Sequence, residues 1–232
     1  MHDSHVLTLL FLGFLLGVRH ALDADHVAAV MTIAAGKRTL QRSALIGFCW
    51  GMGHTVILLI VGAAVVFFKL TISPAWAKMF EAGVGVMLVA LGVSLALALW
   101  RERLHLHSHR HEDGEEHRHV HAHGQGGHHD HLHRFRLEYK SLAVGMVHGL
   151  AGSAALLLLV LATVPSFGIG LLYILVFGIG SILGMVLLAT AMSIPFTMTI
   201  EKFARAQQPI RIVSALLSIV IGSGILLELV VL

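Results

Sequence analysis

Val18-Arg19-His20-Ala21-Leu22-Asp23-Ala24-Asp25-His26-Val27 places one Arg, two His and two Asp inside an otherwise apolar run from about Val6 to Ala35. A run of that length belongs in a bilayer, where ionisable side chains are costly enough that function is the default reason for keeping them. The residue types form a chemical set. Two imidazoles and two carboxylates suit a divalent first-row transition ion. On an ideal helix, with His20 taken as zero, Asp23 falls at about 300°, His26 at about 240° and Asp25 at about 140°. His20, Asp23 and His26 then share one face and Asp25 points elsewhere, unless the helix unwinds here and all four converge. The run is about 30 residues, roughly 45 Å of continuous helix against a hydrocarbon core of about 30 Å. It must tilt, project from the membrane or break, and the polar centre is the place to break.

Composition agrees with a membrane setting. Of 232 residues, 56% are hydrophobic and 12% charged, whereas soluble domains carry about 25% charged residues. The expectation is an all-α integral membrane protein without a cleavable signal peptide, because the first apolar run holds the His/Asp cluster and no small-residue cleavage site. A single cysteine, Cys49, excludes an internal disulfide and a Cys-rich metal site. The net charge of +3 suggests no nucleic-acid partner here, since Lys and Arg in a membrane protein mainly set orientation.

Apolar runs long enough to span number six, at about 6–35, 42–68, 76–100, 139–164, 168–196 and 209–231. The odd-numbered links hold thirteen Lys and Arg, among them Lys37, Arg38, Arg101 and Lys202, while the even-numbered links hold only Lys69 and Lys78. The positive-inside rule puts the odd links in the cytoplasm and both termini outside. The third link is a low-complexity tract, with twelve of the eighteen His between His105 and His133. Such a composition buries no core, so residues 101–138 read as a disordered cytoplasmic loop with affinity for nickel, cobalt, zinc or copper.

The two halves resemble each other. Gly17-Val18-Arg19-His20-Ala21-Leu22 aligns with Gly145-Met146-Val147-His148-Gly149-Leu150, Gly47 to Gly53 with Gly178 to Gly184, and Leu91-Gly92 with Ile221-Gly222. All three matches fall in order at nearly constant offset. Three helices per half means that the repeats, residues 1–100 and 139–232, insert with inverted topology, an architecture that puts the binding site near the midplane. His54, in Gly51-Met52-Gly53-His54-Thr55, lies at the centre of the second run, and Gly47-x-x-x-Gly51 offers a face for close helix approach. His148 is the repeat mate of His20, and a core role and a ligand role weigh equally for it. Met185, Met192 and Met198 read as core filler. At the start of the chain, the α-amine, the His2 amide and the His2 imidazole can chelate nickel or copper in a square plane, so His2 joins His20, Asp23, Asp25, His26 and His54 as a candidate metal residue.

The stretch Arg19-His20-Ala21-Leu22-Asp23-Ala24-Asp25-His26 resembles the signature of the nickel/cobalt transporter family, and Gly53-His54-Thr55 is similar to that family's second motif. His148-Gly149-Leu150-Ala151-Gly152-Ser153-Ala154 resembles the family's shorter relatives, the urease-accessory membrane proteins. By that resemblance His20, Asp25, His26 and His54 recognise the ion, and the protein is a secondary transporter of Ni²⁺ or Co²⁺ in a bacterial cytoplasmic membrane. Nickel chaperones or urease and hydrogenase maturation proteins are the implied cytoplasmic partners. The ion is cargo, and no cofactor is implied. The full first signature favours uptake, whereas the His-rich loop between the third and fourth runs resembles efflux proteins of the same superfamily. An enzyme is the rival class, but Gly-x4-Gly-Lys-Ser/Thr and His-Glu-x-x-His are both missing from the chain.

Overall fold

The computed structural model describes residues 2–35, 39–68, 73–103, 109–110, 116–117, 131–151, 166–198 and 204–231. Among them are seven helices: α1 (His2–His20), α2 (Ala24–Ala34), α3 (Leu40–Phe68), α4 (Pro74–Arg103), α5 (His131–Ala151), α6 (Phe167–Met198) and α7 (Ala204–Val231). Two short strands, β1 (His109–Arg110) and β2 (Glu116–His117), pair antiparallel. Of the segment 101–138 read above as disordered, residues 101–103 belong to α4 and 131–138 to α5, and residues 104–108, 111–115 and 118–130 lie outside the described residues.

Polarity is arranged inside out relative to a water-soluble bundle. Phe11, Phe48, Val86, Leu187 and Val220 are exposed, while His54, Ser141, Ser181, Ser214 and Ser218 are buried. Exposed apolar belts of this kind mark surfaces that face something other than water. Among the described residues, four helices are long and apolar enough to cross a bilayer, over Leu40–Val65, Pro74–Arg101, Phe167–Ile194 and Gln208–Val231. The pair His5–His20 and Ala24–Ile33 adds a fifth if counted as one span, bent by 52° at the break. The chain is thus a multi-pass membrane protein. Of the expected span 139–164, residues 152–164 lie outside the described set, and α5 begins at His131, earlier than the expected boundary of 139.

The break in the first run costs little backbone hydrogen bonding. Leu22 N–H donates to Arg19 O at 2.9 Å and Asp23 N–H to His20 O at 3.1 Å, so the chain tightens by one turn of three-residue bonds before α2 begins. Val27 N–H then donates to Asp23 O at 3.0 Å and starts the new ladder. Hydrocarbon tolerates irregular backbone only where its polar groups are satisfied or face protein. Here the Leu22, Asp23 and Val27 amides are satisfied, while Leu22, Asp23 and Ala24 are themselves exposed.

Glycines set the close crossings. A Cβ on Gly17 would run into Phe177 O, and one on Gly180 into Phe14 O, which locks α1 against α6. Gly145 does the same against Trp50 O, joining α5 to α3. The expected Gly47/Gly51 face packs on Met185 and Ile182 of α6. Small residues are how helices approach closely where no hydrophobic effect drives them together. These contacts also fix direction. α1 runs parallel to α6, with Gly17 beside Phe177 and Gly184 beside Val18 and Ala21. α3 runs parallel to α5, with Trp50 beside Gly145 and His54 beside Gly149, and antiparallel to α6. α4 and α7 are antiparallel, with Gly85 beside Gly222 and Gly92 beside Ala215. Met185 is fully buried in the main core and Met192 packs against it, as expected of filler.

Candidate metal centre

Four helices deliver four histidines to one buried place. His20 ends α1, His26 lies in the first turn of α2, His54 is at the middle of α3 and His148 is near the end of α5. All four are at least nine-tenths buried. Ring centroids lie 4.6 Å apart for His20 and His26, 5.2 Å for His20 and His54, and 5.6 Å for His26 and His54. The ligand atoms of these three lie within 4.8 Å of one another. Three imidazole nitrogens each about 2.1 Å from a common divalent ion sit about 3.4–3.6 Å apart, so closing on an ion takes shifts of up to about 0.7 Å per ring.

The carboxylates sit behind the rings. His20 Nδ1 lies 2.8 Å from Asp23 Oδ2, and His26 Nδ1 lies 3.0 Å from Asp25 Oδ1. A carboxylate only accepts, so each ring keeps its proton on Nδ1 and its lone pair on Nε2. Among the described residues His20 Nε2 and His26 Nε2 are buried without a hydrogen-bond partner, as are both nitrogens of His54. Buried unpaired polar atoms cost roughly 1–3 kcal/mol each. A converging cluster of such atoms is a donor set that could hold a metal ion. The carboxylate–histidine arrangement is the one that orients metal-binding imidazoles and raises their basicity.

Asp25 does further work. Its Oδ1 also accepts from the His26 backbone N–H at 2.9 Å, which caps the first turn of α2. Its Oδ2 lies 3.4 Å from His148 Nε2, an ion-pair distance without hydrogen-bond geometry. The Asp25 carboxylate thus engages histidines, while Arg19 is exposed at the end of α1. Asp23 is the α2 N-cap residue, with φ −63° and ψ 149°, yet its side chain makes no capping bond. It reaches back to His20 instead.

Aromatic rings wall the site. Trp50 stacks on His26 with centroids 5.8 Å apart and planes at 7°, and Phe177 lies 5.6 Å from His20. Trp50 and His54 are four residues apart on α3 and share a face. Two long-range hydrogen bonds brace the surrounding backbone. Ser181 Oγ–H donates to Gly17 O at 3.2 Å, and Thr55 Oγ1–H to Gly178 O at 3.2 Å.

The structure therefore gathers His20, Asp23, Asp25, His26 and His54, and the unwinding of helix 1 is what lets Asp25 join. It adds His148, whose signal in the sequence was its position 128 residues after His20 in the internal repeat, and Trp50, which no chemical pattern marked. Met1 and the His2 side chain, the proposed terminal chelate, lie outside the described residues, as do Gly152, Ser153 and Ala154.

Comparison with known proteins agrees with this chemistry. The chain is 39% identical over 202 residues to the urease accessory protein UreH of Bacillus sp. (strain TB-90), covering 87% of this chain and 83% of that one. It is 36% identical over 59 residues, 23% of this chain and 16% of the other, to the cobalt transport protein NhlF of Rhodococcus rhodochrous. It is 24% identical over 227 residues to the chloroplast protein FOR GROWTH AND FERTILITY 1 of Arabidopsis thaliana, covering 96% of this chain but only 60% of that one. No solved structure matches the chain. Residues 6–231 match the family described as NicO, high-affinity nickel-transport protein, and the chain belongs to that family.

Proposed function

We propose that the protein is a secondary transporter that takes up Ni²⁺, or Co²⁺, across the bacterial cytoplasmic membrane through the His20/His26/His54 centre. Membership of a nickel-transport family sets a metal ion as substrate and a transporter, rather than an enzyme, as the class. One observation carries the intramembrane site: three buried imidazoles from three helices converge with unpartnered nitrogens. In this reading His20, His26 and His54 exchange for the ion's water. Asp23 and Asp25 hold two of those rings by Nδ1 and supply negative charge that offsets the ion.

The proposed frame is six spans in two inverted three-helix repeats, residues 1–100 and 139–232, joined by the His-rich segment 101–138. Helix directions support it. The mates α1 and α5, α3 and α6, and α4 and α7 each run antiparallel, as inverted repeats require. So does the exchange of partners, since α1 packs on α6 as α5 packs on α3. The Lys and Arg bias puts both termini outside and the His-rich loop in the cytoplasm, where it would receive ions released inward. The likeness to a urease accessory protein supports nickel-enzyme maturation proteins as the recipients.

The test is uptake of radioactive nickel by proteoliposomes carrying the full chain, compared with His20→Ala and His26→Ala. Both substitutions should reduce uptake to the background of empty vesicles. Undiminished uptake in both removes the site. Accumulation only in vesicles of opposite orientation establishes efflux instead.

A further inference from the structure

Beside the His20/His26/His54 trio, and outside the role just proposed for it, a second set of donors meets an opening. Asp25, His26 and His148 also bring one ligand atom each within 4.8 Å of one another. The His26 and His148 rings are 4.4 Å apart, closer than any pair in the first trio. His148 is 1% exposed, and among the described residues neither of its ring nitrogens has a hydrogen-bond partner. A core histidine in an apolar helix would be expected to spend at least one nitrogen on a neighbour. This one aims Nε2 at Asp25 Oδ2, 3.4 Å away.

Asp25 in turn lines a cavity of about 350 Å³ between α2, α4, α5 and α7. Glu81, Glu228 and Lys78 share its wall, over Val84 and Ala151. Three carboxylates against one ammonium leave the cavity net acidic, so it concentrates cations. Glu81 and Lys78 sit near the start of α4 and Glu228 near the end of α7. The antiparallel pairing of those helices puts all three at one end of the bundle. The cavity therefore leads from that end to Asp25, and not directly to His20 or His54.

We infer that Asp25, His26 and His148 form a second ion station, which takes a divalent first-row cation from the acid-lined cavity before the ion reaches His20 and His54. The inference rests on the transport reading for the direction of travel and on the donor set alone for the site. His26 belongs to both stations and links them. Its Nδ1 faces Asp25, while its unpartnered Nε2 serves the first trio. A neutral imidazole has one lone pair and one N–H. To ligate beside Asp25, His26 shifts its proton from Nδ1 to Nε2, so it serves one station at a time, and the two stations hold a single ion between them. Such neighbouring, mutually exclusive sites let an ion move without ever being stripped of ligands inside the membrane.

Trp50 supplies a local readout, because its ring stacks on His26 and lies 5.4 Å from His148. The other two tryptophans, Trp76 and Trp100, are exposed and are replaced by Phe so that only Trp50 emits. In purified full chain, Ni²⁺ should quench that emission saturably. His20→Ala and His148→Ala should each weaken the apparent affinity by about tenfold or more and leave quenching saturable, since one station survives. The two together should abolish it. His148→Cys keeps a donor but softens it, so Cd²⁺ should reverse the nickel quenching at a concentration at least about tenfold lower than in the parent. A packing role for His148 leaves the Cd²⁺ potency unchanged. Wild-type affinity in His148→Ala, loss of all quenching in His20→Ala alone, or an unchanged Cd²⁺ potency in His148→Cys each overturns the second station. Saturable quenching of this pattern without any nickel uptake by the parent protein overturns the transport reading and leaves the station standing.

Discussion

Asp23→Asn tests whether the carboxylates orient rings or bind the ion themselves. The substitution is nearly isosteric, so it changes hydrogen-bond character and little else. In the native site Asp23 Oδ2 can only accept, and it fixes the His20 proton on Nδ1, 2.8 Å away. Asparagine can also donate there, which moves the His20 proton onto Nε2 and turns a ligand nitrogen into an N–H aimed at the ion. Loss of an orienting partner typically costs about 10–100-fold in metal affinity. Asp23 belongs at the lower end, because its side chain is 52% exposed and water shares its role, whereas Asp25 is 24% exposed and touches two histidines. The half-saturating nickel concentration for uptake should rise about tenfold in Asp23→Asn, roughly 1.4 kcal/mol, and closer to 100-fold in Asp25→Asn. His20→Ala, which removes a donor outright, should be worse than either of the two. Initial rates of radioactive nickel uptake into proteoliposomes across a range of concentrations give the three values. If Asp23→Asn behaves as the native protein, the ring needs no orienting. If it is as damaging as His20→Ala, Asp23 is a ligand in its own right. Either result refutes the reasoning.

Three further outcomes are expected. In Gly184→Ala the new Cβ would sit 2.7 Å from Ala21 Cβ and 2.8 Å from Val18 O, at least roughly half an ångström inside comfortable contact. It should push the α1–α2 break off α6 and cut nickel uptake about tenfold, while circular dichroism shows that the helices persist, Ala being the better helix former. Deleting residues 105–133 should leave the uptake rate of reconstituted protein within about twofold of native, because none of the centre's donors lies there. The amount of nickel bound per chain at equilibrium dialysis should fall. Acidification should lower uptake, since protons and metal compete for the same imidazole lone pairs and coordination releases protons. Uptake followed at fixed nickel should rise with pH and then level off, and a flat profile from mildly acid to neutral pH would contradict imidazole ligation.

Much of the site was legible because hydrocarbon makes polar residues conspicuous. His20, His26 and His54 stand out in apolar runs, and the excess length of the first run foretold its break. What the sequence could not supply was the direction of the bend, and with it the fate of Asp25. A regular helix turns Asp25 about 140° from His20. The 52° bend brings it behind His26 and beside His148 instead. His148 was visible as a repeat mate and in a motif shared with shorter relatives, but its role stayed open, because periodicity reports a shared scaffold and not which copies of a residue stay in use. Trp50 was invisible for a different reason. Its role depends on α3 and α5 crossing at Gly145, and a tertiary contact leaves no local pattern. Of the six expected spans, α3, α4, α6 and α7 follow their apolar runs closely, as expected where the backbone must satisfy itself by helix alone.

Unequal chemistry on equal scaffolds gives the proposed path its polarity. Two inverted repeats would by themselves create a site with the same ligands facing both ways, and an ion would have no preferred route. Here the first half keeps His20, Asp23, Asp25 and His26, and the second keeps His148 with small residues in place of the rest. The acid-lined cavity opens toward the side of the cluster that His148 completes. An ion entering there meets a carboxylate and two imidazoles before three imidazoles, a step from harder to softer donors that suits nickel and cobalt and disfavours magnesium and calcium. Discrimination against the abundant hard cations would then come after the cavity has gathered cations of every kind. Mg²⁺ in large excess should therefore slow nickel entry at low nickel and leave the maximal rate unchanged. Removing charge from the cavity with Glu81→Gln and Glu228→Gln should weaken that inhibition together with the affinity for nickel. A loss of maximal rate without a change in half-saturation would mean that the carboxylates act inside the translocation step, and the cavity would not be the entrance.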